Sequence, residues 1–190
     1  MELDITNLVK NPINLDLPDR ETLDQYLDEV VPKVKPWGED LREHENYMDT
    51  RWLEINDRDD FHESVLHIFR AENEYLISID GNIHKGVWNF LKNSNTLILE
   101  KQIGGAVVTS ELFDVAFMNK DFFVLRKHGD QIRKGFPKYL LLGRENLVRG
   151  LEWREVIELI YSKYRSNTQL IVVMVFAAIV LAVVLIFTFF

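Results

Sequence analysis

The spacing of apolar side chains changes twice along this chain, and the two changes divide it into regions. Up to about residue 50 the apolar positions fall at helical spacing: Leu17, Leu23, Leu27 and Val30, with Tyr26 and Val31 alongside. Asp19 is the expected N-cap and Pro32 the expected stop, because proline has no N–H to give a helix interior. A second short helix is expected over 39–48, after a turn that carries Pro32, Pro36 and Gly38. From Arg51 the period drops to two. Runs of β-branched, aromatic and aliphatic residues cover 52–55, 64–70, 74–79, 83–91, 96–100, 106–118, 121–126 and 138–142. Turn residues separate them, and Asp80-Gly81-Asn82 between alternating runs is a hairpin signal. Tyr75, Ile77 and Ile79 share one face, as do Phe113, Val115 and Phe117. Helical spacing returns at Glu145, with Trp153, Val156, Ile157, Ile160 and Tyr164 as its stripe.

Seven or eight short strands joined by hairpins, with no helix between them, predict an antiparallel meander. Such a sheet buries its edges best by curling into a small barrel or a tight sandwich. The expected class is therefore α+β. It comprises an acidic helical arm (1–50), an antiparallel β-barrel (51–144), an amphipathic juxtamembrane helix (145–167) and an apolar segment (168–190). Phe122 and Phe123 place aromatics on both faces of one strand, which predicts a strand covered by the barrel core on one side and a helix on the other, the alternative being an exposed patch that binds a partner.

The apolar segment changes the picture most. Residues 170–190 carry no charge, and Thr188 is their only polar side chain. At ~1.5 Å per residue a helix of that length matches the ~30 Å hydrocarbon layer of a bilayer. It reads as a single membrane-spanning tail anchor. Lys163 and Arg165 on its N-terminal flank place the rest of the chain on the cytoplasmic side. No apolar N-terminal stretch resembles a signal peptide. Ala178 and Ala182, four residues apart, offer a surface for a homodimer through the anchor.

Charge is distributed unevenly. The net charge is −8, and residues 1–50 carry all of it, with 13 acidic and 5 basic side chains. Segment 120–149 runs the other way. Within it Arg126, Lys127, Arg133, Lys134 and Lys138 are candidates either for anionic lipid headgroups or for docking the acidic arm. A nucleic-acid partner does not fit an acidic chain without an aromatic-basic platform.

Catalytic signatures are missing from the sequence. It has no cysteine, no G-x-S-x-G, no P-loop, no G-x-G-x-x-G and no H-E-x-x-H. Its five histidines, His44, His62, His67, His84 and His128, lack metal-ligand spacing. No metal, cofactor or catalytic residue is expected.

The succession Ile77-Ser78-Ile79-Asp80-Gly81-Asn82, Gly86-Val87-Trp88-Asn89-Phe90 and Leu97-Ile98-Leu99 resembles small bacterial lipocalin-like (calycin-type) barrels over residues 63–143. The resemblance implies a small barrel with Trp88 near one end, and it favours a bacterial inner membrane. A pleckstrin-homology-like barrel with a C-terminal helix fits the same element order. A ligand cavity inside such a barrel would be lined by Tyr75, Ile77, Trp88 and Phe113. The expected function is a non-enzymatic, membrane-tethered binding or adaptor module with a membrane-associated protein partner. The alternative is a sensor whose barrel binds a small molecule or lipid.

Overall fold

The computed structural model describes residues 19–39, 47–58, 63–91, 94–103, 106–129 and 136–163. Its main compact unit spans Pro18–Ile157. The second unit, 1–17 with 158–190, contributes only 158–163 to the described residues. Segment 170–190, on which the expected anchor and its Ala178/Ala182 surface fall, lies outside them. Among the described residues no helix is long and apolar enough to cross a membrane.

Eight antiparallel strands close into a barrel in simple sequence order: β1 (Trp52–Ile55), β2 (Val65–Phe69), β3 (Glu74–Ile79), β4 (Asn82–Phe90), β5 (Thr96–Ile103), β6 (Ala106–Met118), β7 (Phe122–Lys127) and β8 (Tyr139–Arg144). Closure is made by β1 and β8, with Leu53 opposite Gly143 and Ile55 opposite Leu141. The predicted alternation sets the register. Phe69 faces Tyr75 and Val65 faces Ile79 across β2 and β3, all four pointing inward.

One sequence expectation fails within β6. A register shift between Val115 and Phe117 sends Phe117 to the outer face and brings Met118 inward beside Phe123. An extra residue in one strand reverses the alternation beyond it, and no residue type in this stretch marks the place.

Helix α1 (Leu23–Val34) buries Leu23, Leu27, Val30 and Val34 outside the barrel wall. Thr22, not Asp19, caps it, its hydroxyl accepting from the Gln25 N–H at 3.3 Å. Pro32 lies inside the helix instead of ending it. Proline removes one backbone bond, and packing of the apolar stripe outweighs that loss for the last turn. Phe122, Val124 and Leu141 face outward yet are buried, as covering by a helix requires. A one-turn helix α2 (Glu145–Val148) follows β8, and residues 153–163 are helical again. Val148 seats against the bare backbone of Gly143, where an added Cβ would lie 2.6 Å from Val148 Cγ1.

Candidate functional site

The two ends of the barrel differ in chemistry. At one end Tyr47, Trp52, Phe69, Trp88 and Phe123 form an aromatic plug. Ring centroids of Phe69 lie 5.7 Å from Phe123 and 6.3 Å from Trp88, and Tyr47 lies 5.9 Å from Trp88. The polar tips are satisfied locally: the Trp52 indole N–H donates to the Tyr47 carbonyl at 3.0 Å and the Trp88 N–H to the Arg70 carbonyl at 2.8 Å.

Toward the other end the inward positions become polar: Glu54 on β1, His67 on β2, Lys101 on β5, Glu111 on β6 and Lys127 on β7. His67 is buried and uses both ring nitrogens, Nε2 at 3.0 Å from Glu54 Oε2 and Nδ1 at 2.5 Å from the Tyr75 hydroxyl. Lys127 pairs with Glu111 at 3.0 Å. Burial pushes the Tyr75 hydroxyl pKa well up, and the negative charges of Glu54 and Glu111 add to the effect.

Burial also works to raise the pKa of Glu54. The hydrogen bond from His67, the field of that ring and the charges of Lys101 and Arg58 outweigh it and hold the carboxyl below its ordinary 4.5. A depressed carboxylate contributes stability above its unfolded pKa and loses it as pH falls through the folded value. The melting temperature of the wild type should therefore drop on acidification below pH 4.5, and Glu54→Gln should flatten part of that drop. Thermal melts by circular dichroism across this range test the difference. Parallel curves for the two proteins would remove Glu54 from the account.

Two concavities meet at the end of β1. A cleft of about 300 Å³ at the polar mouth is lined by Glu54, Leu140, Arg58, Phe136 and the start of α1. A groove of about 650 Å³ runs outside the wall, between β1 and the segment after α2. It is lined by Leu53, Val148, Leu151 and Trp153 together with the polar Asn56, Arg58, Glu63, Ser64 and Glu152. Trp153 is held from behind, its ring 5.6 Å from Tyr26 and the Arg154 guanidinium 4.3 Å above it.

Acidic α1 meets the basic region through Lys138. Asp24 accepts the backbone N–H of Lys138 at 2.8 Å and of Tyr139 at 3.2 Å. Asp28 pairs with the Lys138 ammonium and accepts the Tyr139 hydroxyl at 2.8 Å. Slight burial tends to raise the Asp28 pKa, but these two hydrogen bonds and the charges of Lys138 and Arg126 hold it below 3.8. At the start of α1, Asp57 takes the Leu23 N–H at 2.6 Å.

Of the other basic candidates, Arg126 is exposed and Lys127 points into the mouth. Arg133, Lys134 and Arg165 lie outside the described residues, and Lys163 ends the last described helical segment. Tyr75, Ile77, Trp88 and Phe113 all point inward and are packed in the core. Sequence reading missed the pairing of Glu54 with His67. The two sit on neighbouring strands, and only the register places them together. Among the described residues no group of three or more histidines or carboxylates is arranged to hold a metal ion. Comparison with protein-family models, with curated proteins and with solved structures finds no match.

Proposed function

We propose that this protein is a non-enzymatic binding module that residues 170–190 tether to a membrane, and that it receives a basic segment of a membrane-associated partner in the groove beside β1. The observation that carries this reading is where open space lies. Among the described residues the rings of Tyr47, Trp52, Phe69, Phe113 and Phe123 pack together at the aromatic end of the interior, whereas the groove is outside the wall. Leu53, Leu151 and Trp153 supply apolar contact within a largely polar lining, and Glu63 and Glu152 supply charge of the sign a basic segment needs. Tethering raises the effective concentration of a partner in the same membrane without any added contact.

Crosslinking in native membranes, followed by recovery of the full-length chain, tests the proposal. A defined partner should be recovered with wild type and lost with Glu63→Lys combined with Glu152→Lys. Recovery unchanged by the double reversal, or no defined partner at all, would contradict it. A second reading, a small ligand seated at the mouth, is favoured by the cleft that reaches Glu54 and Leu140. It predicts a saturable thermal shift with one compound in a small-molecule screen.

A further inference from the structure

Glu54 belongs both to the polar interior of the barrel and to the lining of the mouth cleft. What stands behind it decides how it is presented. Tyr75 is 1% exposed, and among the described residues its hydroxyl meets only His67 Nδ1. A buried phenol has to donate its proton to some acceptor. Nδ1 is therefore that acceptor, and the proton of the neutral ring sits on Nε2, which donates to Glu54 Oε2. A buried chain of two side chains thus braces the carboxylate from inside the barrel. Its other oxygen, Oε1, has no hydrogen-bond partner among the described residues, and the side chain is 21% exposed.

The other carboxylates of the cleft are already engaged. Asp24 accepts the N–H groups of Lys138 and Tyr139, and Asp57 accepts that of Leu23. Ile55, Leu140 and Phe136 supply apolar wall. The volume of about 300 Å³ is at the lower end of the ~300–1,000 Å³ of small-molecule pockets. A partly dehydrated carboxylate oxygen gains most from a charged donor that comes to meet it.

We propose that Glu54 Oε1 receives an alkylammonium group whose carbon chain lies against Ile55 and Leu140, with His67 and Tyr75 as positioning residues behind the carboxylate. This rests on the reading of the mouth as a ligand site and not on what the groove binds. Asp24, Glu54 and Asp57 against Arg58 give the lining the sign a cation needs. The ammonium belongs either to a free small amine or to a lysine side chain of a polypeptide, since both present the same three donors.

The probe is n-butylammonium, and butanol is its neutral counterpart. In full-length protein carrying isotope-labelled histidine, held in lipid nanodiscs, butylammonium should shift the His67 Nε2 resonance saturably above a sodium chloride baseline. Butanol should not. Exposed His84 and His128 report any general effect of salt. Glu54→Gln keeps an oxygen for His67 and removes the charge, so it should weaken binding at least tenfold. Arg58→Gln, at an exposed position, should tighten binding about twofold by removing the opposing charge, and it serves if Glu54→Gln does not fold. N-acetyl-lysine methylamide binding more tightly than butylammonium assigns the ammonium to a polypeptide, and weaker binding assigns it to a free amine. Equal responses to butylammonium and butanol, or binding unchanged in both variants, would overturn the proposal. So would a saturable shift with a neutral compound and none with butylammonium, which leaves the mouth a ligand site of other chemistry. No response to any compound removes the ligand reading as well.

Discussion

Gly86→Ala is expected to prevent folding or to leave a barely folded barrel. Gly86 lies within β4, between Tyr75 on β3 and Lys101 on β5. A Cβ there would run into the backbone carbonyl of Glu100 and come 3.1 Å from Tyr75 Cδ1. Side chains yield to overpacking at ~1–3 kcal/mol. A carbonyl fixed in a closed ladder does not yield alone, so β4 and β5 must separate, and we expect a loss of at least ~3 kcal/mol against a total of ~5–15. Denaturant titration of wild type and variant measures it. Gly81→Ala is the contrasting case: the turn has open space around it but a φ of +87°, so the variant meets backbone strain of ~1 kcal/mol without a clash. If Gly86→Ala unfolded at the same midpoint as wild type, the close approach of the two strands would not be a constraint.

The strands were legible because a closed meander depends on local signals. Trp52–Ile55, Glu74–Ile79 and Ala106–Met118 begin and end where alternation and turn residues place them. Asp80 and Gly81, both at positive φ, form the turn that the Asp-Gly pair announces. Phe122 and Phe123 are both buried, as aromatics on two faces of a helix-covered strand should be. What local pattern did not carry was the shift in β6. It also did not carry the boundaries of α1, where tertiary packing overrides the usual meaning of Pro32.

The candidate sites were less legible, for a different reason. Lys138 is prominent in the sequence as one of many basic residues, but its partners Asp24 and Asp28 lie more than a hundred positions earlier. Glu54 and His67 become a pair only when β1 and β2 adopt one particular register. The groove beside β1 depends on how the chain returns after β8, which no spacing rule describes. Alternation puts Tyr75 with Ile77 and Phe113 with Val115 on shared faces, and both faces point inward, as Trp88 does. Alternation, however, cannot distinguish an inward face that lines a space from one that fills it.

That distinction makes Phe69→Ala the second variant of large expected effect. Phe69 is fully buried and its ring contacts those of Tyr47, Tyr75, Trp88 and Phe123, so its removal opens a hole in the centre of the plug. Truncating a core phenylalanine costs ~3–5 kcal/mol, and rigid aromatic neighbours collapse poorly into the space. Its backbone also anchors the segment entering β1: the Phe69 carbonyl accepts the Asp49 N–H at 2.8 Å, and Met48 bridges to the same residue. Loss of the ring should therefore speed hydrogen exchange at Asp49 more than at β6 amides on the far wall, beyond the shift expected from lower global stability. Phe69→Leu keeps more of the volume and should lose less. A Phe69→Ala loss below ~1 kcal/mol would mean that the plug relaxes freely, since only a site able to collapse escapes the cavity cost. The interior would then be compliant enough to admit a ligand after all, and the balance between an external groove and an internal site would shift toward the mouth.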